Sequence, residues 1–194
     1  MDRLEKAFSL FDEYNKQSPE TLIWQGTEYP TEYFYALKLN EYVRKLKPEA
    51  PESLLLASRS QHIGRWEIAR KSYPDGRIGY LKWRSDLGKF HAQKASELLV
   101  EAGYEESEIT RVREIILKQR IKADEDVQTI ENALCLVFLE FQFDDLIQKL
   151  SEDKMIDILR KTWGKMSEPG REAALAMKYS EVGTSLLQKA LRVD

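Results

Sequence analysis

The sequence predicts an all-α, single-domain helical bundle built round a buried central helix. Three observations predict it. Apolar residues recur at steps of three and four along most of the chain. The stretch Ala133–Phe143 is apolar almost all round, as in a helix enclosed by others. A chain of 194 residues suffices for one well-buried core and hardly for two, and it carries no internal repeat, low-complexity tract or linker.

The elements follow in order. Asp2–Tyr14 places Leu4, Ala7, Phe8 and Phe11 on one face, a short amphipathic helix. Thr21–Trp24 followed by Gln25-Gly26-Thr27 is a brief extended segment with a turn. Thr31 is the expected N-cap of a helix to about Leu46, ended before Pro48. A helix from about Pro51 to Trp66 carries Leu55, Ser58 and His62 along one side. Periodicity fails between Ile68 and Tyr80, where Pro74-Asp75-Gly76 and Gly79 signal a loop. The next helix, about Leu81–Ala102, stacks Leu87, His91, Ala95, Leu98 and Ala102 and stops at Gly103. Helices over about Glu106–Lys122 and Asp126–Leu150 follow, then two or three more, broken at Pro169-Gly170 and near Gly183.

Composition narrows the function classes. Hydrophobic content of 42% with 32% charged residues is that of a soluble helical protein rather than a disordered one. The single cysteine, Cys135, excludes an intramolecular disulfide and a cysteine-rich zinc site, and its greasy setting marks it as core rather than nucleophile. The N-terminus shows no secretory signal, and no apolar run is long enough for a bilayer of roughly 30 Å. A cytoplasmic location is the expectation. A net charge of −3 argues against extended nucleic acid as a partner. Yet Arg59–Lys89 holds eight lysines or arginines against three acids, a local excess that suits an anion.

The chemistry-bearing residues gather there. The chain has only two histidines, His62 and His91. A core-facing histidine is ordinarily a buried, hydrogen-bonded ring, but His62 is surrounded by Gln61, Arg65, Trp66 and Glu67, which is not a packing environment. Trp66, Tyr73, Tyr80 and Trp83 interleave with Arg65, Arg70, Lys71, Arg77, Lys82 and Arg84, a mixture that can stack on a ring and clamp a phosphate. Its bland counterpart is a solvated loop whose charges pair with the acidic remainder. Lys118, Arg120 and Lys122 form a second basic cluster, on most proteins an exposed helix face. No glycine-rich phosphate loop, HExxH or calcium loop occurs, so any metal would need carboxylates or amides such as Glu131 and Asn132 beside the histidines.

Several runs carry a resemblance. Ser60–Ile68, Trp83–Leu87, Phe90-His91-Ala92, Asp126–Glu131, Leu136–Glu140 and Ile158–Trp163 resemble an uncharacterised family, domain of unknown function 4202, over nearly the whole chain. A more distant similarity is to the HD-domain metal-dependent phosphohydrolases. That similarity implies a fold of HD-like type, with a core over about 31–150 and C-terminal helices 151–194 packed on it. In it His62 stands for the histidine of the His-Asp pair and Ile63 for its aspartate; His91 stands for a later histidine and Asn132 for the final aspartate. The first histidine of the pattern has no counterpart here. Loss of two anionic ligands, with Arg65, Lys118 and Lys122 nearby, disfavours a divalent cation.

The expectation is therefore a degenerate HD-like pocket binding a small anion, a phosphorylated metabolite or a nucleotide. His62 and His91, with Glu67 as an orienting carboxylate, are the candidate proton-transfer groups. Gln61, Arg65, Trp66, Trp83, Arg84, Lys118 and Lys122 are the candidate ligand contacts. One alternative is a metal-dependent phosphohydrolase using His62, His91 and Glu131 at a weak site. Another is a protein-interaction module using the loop Ile68–Tyr80 and its basic surface.

Overall fold

The N-terminal half folds as helices with one small hairpin at their side. In a computed structural model that describes residues 2–192, α1 (Arg3–Asn15) starts where Asp2 accepts a hydrogen bond from Glu5 N and Glu5 answers in a capping box. It buries Ala7 and Phe11. Strands β1 (Thr21–Trp24) and β2 (Thr27–Pro30) pair antiparallel with Trp24 opposite Thr27. Gln25 and Gly26 both take positive φ, 49° and 80°, as a two-residue hairpin turn requires. Helix α2 (Thr31–Leu46) follows directly. Its N-cap is Pro30 rather than Thr31, because β2 delivers the chain in extended conformation up to that residue.

Helix α3 (Glu52–Ser60) is shorter than its periodicity suggests. The chain turns at Gln61–Gly64 and makes one 3-10 turn at Arg65–Glu67, so the expected helix to Trp66 ends six residues early. The break is at Gly64, whose φ of +64° reverses the chain, and a Cβ there would lie 2.8 Å from the Tyr14 ring and 2.9 Å from that of Phe90. The loop is correspondingly shorter than Ile68–Tyr80. After a 3-10 turn at Arg70–Ser72, α4 (Gly76–Ala102) begins five residues before Leu81 and runs for 27 residues to Gly103. Gly79 is not a break but a contact point inside α4: a Cβ there would stand 1.9 Å from the Pro74 carbonyl oxygen.

Helix α5 (Glu106–Ile116) stops six residues short of Lys122. Lys118, Arg120 and Lys122 all take left-handed φ (54°, 55° and 73°), so that basic cluster is a winding loop and not a helix face. Asp124 accepts hydrogen bonds from Asp126 N and Val127 N and starts α6 (Glu125–Phe141). A short α7 (Phe143–Ile147) splits the expected helix to Leu150, and α8 (Glu152–Lys165), α9 (Glu168–Leu175) and α10 (Glu181–Leu191) complete the chain. Pro169 sits in the first turn of α9, and Gly183 lies inside α10, whose start is Ser180 rather than a break at the glycine.

Helix α6 explains its own composition. Ile130, Ala133 and Val137 face a core shared with α1–α5, whereas Leu136, Leu139 and Cys135 face a second core shared with α7–α10. With both faces enclosed, an apolar residue at almost every position contributes, about 1.5–3 kcal/mol for each fully buried large side chain. The all-α bundle with a buried central helix is the fold. No helix among the described residues is long and apolar enough to cross a membrane.

Candidate functional site

The turn after α3, the first half of α4 and the end of α5 enclose a pocket of about 390 Å³. Gln61, His62, Arg65, Trp83, Arg84, His91 and Lys118 line it, so seven of the residues singled out from sequence come together. The turn is held on both sides. Gln61 Nε2 donates to the Ile116 carbonyl at the end of α5 (3.0 Å), and Trp83 Nε1 donates to the Ile68 carbonyl (2.9 Å).

His91 is the most constrained group. Its Nδ1 lies 2.7 Å from the Ile63 carbonyl oxygen, which can only accept, so Nδ1 carries the proton and Nε2 keeps a free lone pair. The ring is buried and its pKa is drawn down to about 4, chiefly by desolvation. The His62 ring lies 5.8 Å away, centroid to centroid. Desolvation first, then Arg65, His91, Lys118 and Arg84, hold its pKa well below the usual 6.5. Both imidazoles are therefore neutral at pH 7, in a pocket rich in positive charge.

The cations are arranged in two ways. Lys118 forms an ion pair with Glu131, whose carboxylate is also 3.8 Å from Lys165. Arg65, Arg84 and Lys89 line the pocket without a carboxylate at ion-pair distance among the described residues. Instead Arg65 stacks over Trp83 (5.3 Å to the ring centroid) and Arg84 approaches Tyr80 (6.0 Å).

Other predicted residues lie elsewhere. Trp66 stacks on Tyr14 with centroids 5.8 Å apart, and Glu67 accepts a hydrogen bond from the Tyr14 hydroxyl (3.1 Å), so both pin the turn to α1. Lys122 is exposed on the loop outside the pocket lining. Glu131 touches the site only through Lys118. Asn132 is engaged with the α8–α9 junction: Nδ2 donates to Ser167 Oγ (2.8 Å) and Oδ1 accepts from Ser167 N (3.0 Å). No three His, Cys, Asp or Glu among the described residues cluster closely enough to hold a metal ion. Cys135 is buried, its thiol pushed up to about 12 by desolvation.

The sequence reading missed Gly88 and Lys89 as pocket residues and named Tyr80 only within the basic-aromatic series, at the end of an expected loop. The signal was present, since Tyr80, Arg84, Gly88 and His91 recur at steps of four, four and three, one stripe of a helix. Reading a loop to Tyr80 concealed it. Glu32, in the first turn of α2 and outside the pocket lining, was not singled out from the sequence either. Burial pushes its pKa up to about 7, with the charge of Arg65 acting in the opposite sense.

No curated protein and no solved structure matches the chain. A family profile does, over residues 5–187, and the chain accordingly belongs to the family described as domain of unknown function DUF4202.

Proposed function

We propose that this protein binds a small phosphate-bearing anion, a phosphorylated metabolite or a nucleotide, in the pocket between the α3–α4 turn, α4 and the end of α5. The observation that carries the proposal is a set of cations without counter-charges. Arg65, Arg84 and Lys89 line one concave pocket, with no carboxylate at ion-pair distance among the described residues, in a chain of net charge −3. Guanidinium groups suit phosphate because they offer paired donors in one plane, and stacking on Trp83 and Tyr80 orients them in advance. His62 contributes as a neutral ring. An anion beside it offsets the field of Arg65, Lys118 and Arg84, raising its proton affinity so that it can donate a charged hydrogen bond.

A divalent cation fits this donor set less well. His91 does have the geometry of a metal-binding imidazole, with Nδ1–H tied to a carbonyl and Nε2 free. Beside it, however, stand neutral His62 and Arg65, Arg84 and Lys118, with Ile63 buried in the core and Glu131 neutralised by lysines. A metal-dependent phosphohydrolase would need negative charge here to hold its cation.

The test is calorimetric titration with inorganic phosphate, sugar phosphates and nucleoside monophosphates. Arg84→Ala should weaken binding by roughly ten- to a hundredfold, as for loss of a charge-assisted hydrogen bond of about 1.5–3 kcal/mol. His62→Ala should weaken it while leaving thermal stability near that of the parent, and Lys122→Ala should leave it unchanged. Binding that survives both Arg84→Ala and His62→Ala would place the anion elsewhere.

A further inference from the structure

Two acceptor atoms in the pocket wall have no donor. Gln61 Oε1 and His91 Nε2 are closed to bulk water and make no hydrogen bond. Their residues are 5% and 3% exposed, and both line the pocket. Each is an acceptor by necessity. The Gln61 amide is oriented by its Nε2 donating to the Ile116 carbonyl, and the His91 ring by its Nδ1–H donating to the Ile63 carbonyl. The Oε2 of Glu131, a third buried atom outside any hydrogen bond, differs in kind because Lys118 is ion-paired with it.

Buried acceptors without donors are costly and rare, so two on residues that line one pocket call for a common explanation. A phosphate ester dianion, a sulfate or a carboxylate does not provide one, since each carries no O–H or N–H and only accepts hydrogen bonds. A ligand that satisfies them must bring donors of its own. In the ligand classes proposed above the donors are hydroxyls and the amino group of a nucleobase. A base would want a free aromatic face; Trp83 is only 9% exposed with Arg65 over it, and Tyr80, 42% exposed, already has Arg84 6.0 Å from its ring centroid. Hydroxyls need no such face.

We infer that the ligand is a polyhydroxylated phosphate ester of sugar-phosphate type, its phosphate held by Arg65 and Arg84 and two of its hydroxyls donating to His91 Nε2 and Gln61 Oε1. This rests on the anion-binding proposal above and narrows it to one class. The pocket of about 390 Å³ has room for a five- or six-carbon phosphate.

The experiment compares compounds of equal charge and carbon number by calorimetry on the full chain. Pentose 5-phosphates and hexose 6-phosphates are titrated beside pentyl and hexyl phosphate. At least one sugar phosphate should bind tenfold or more tightly than its alkyl counterpart. That margin should vanish in His91→Asn, whose amide can still donate to Ile63 but leaves nothing at the place of Nε2. Arg84→Ala should weaken sugar and alkyl phosphates alike. Ring ¹⁵N spectra of the unmodified protein give a second readout that needs no variant. The His91 Nε2 resonance should shift toward that of a hydrogen-bonded acceptor with the sugar phosphate and stay put with the alkyl one. Equal affinity for both sets, or an unmoved Nε2, overturns the hydroxyl inference and leaves anion binding standing. If no phosphate binds, both fall.

Discussion

Both ends of the Asn132 amide are committed: Oδ1 accepts from Ser167 N and Gln128 Nε2, and Nδ2 donates to Ser167 Oγ. The residue is 4% exposed, and Gly170 passes so close that a Cβ there would lie 2.7 Å from the Asn132 side chain. An aspartate at 132 would lose the donor and bring a charge into a site that has no room to rearrange. Asn132→Asp, the change that would restore the acidic residue of the HD-type pattern, should therefore destabilise the fold by about 2–3 kcal/mol in urea unfolding. A neutral or stabilising effect would mean that the α8–α9 junction tolerates the carboxylate. Sequence alone placed Asn132 among ligand candidates because its neighbour Glu131 and the two histidines suggested one. Its partner Ser167 lies 35 residues away, a distance no local pattern bridges. The same holds for Lys118 and Glu131, brought together by a loop whose left-handed residues carry long side chains instead of the glycines that usually signal such turns.

Among the elements, α4 matters most, since Trp83, Arg84 and His91 all ride on it. Its periodicity was legible from Leu87 to Gly103, and so were the extended segment and turn at Thr21–Thr27 (though not the second strand), the end of α2 before Pro48 and the enclosed α6. Its first turns were not, because Pro74, Gly76 and Gly79 look like loop residues whichever way the chain runs. Gly79 is there for contact with the Pro74 carbonyl, and Gly88 has nothing within 4 Å of the place a Cβ would take. Gly79 and Gly88, in the same helix, should thus respond oppositely to alanine. Gly88→Ala should stabilise by up to about 1 kcal/mol through helix propensity alone. Gly79→Ala must displace either the Pro74 backbone or the helix start, lowering stability and moving Trp83 and Arg84 out of register with His62. Denaturant midpoints check the first effect and anion titration the second. Equal stability changes at both positions would refute the close approach.

For the whole molecule, acid stability is governed by groups of opposite sign. His62 and His91 have folded pKa values below their ordinary 6.5, so the unfolded chain holds protons there that the folded chain refuses. Their contribution is fully present above pH 6.5 and is lost as pH falls below it, for His91 through the window down to about 4. Glu32 works against them. Its folded pKa of about 7 lies above its ordinary 4.5, so between those values the folded chain holds a proton that the unfolded chain has released. The strongly depressed carboxylate Asp124, held at about 2 by Arg111, acts only below that window. Between pH 6.5 and 4.5 the unfolded state thus gains two protons at the histidines against one retained by the fold at Glu32. Stability should fall by about 1.4 kcal/mol for each unit of acidification. Glu32→Gln removes the opposing group, so its unfolding free energy should fall about twice as steeply over the same range. Urea titrations from pH 7 to 5 on both proteins read the two slopes directly. Parallel slopes would show that Glu32 is ionised in the fold. A steeper slope in the variant would mean that the neutral histidines of the pocket and a protonated carboxyl beyond Arg65 together keep negative charge out of a site whose cations are left free for a ligand's.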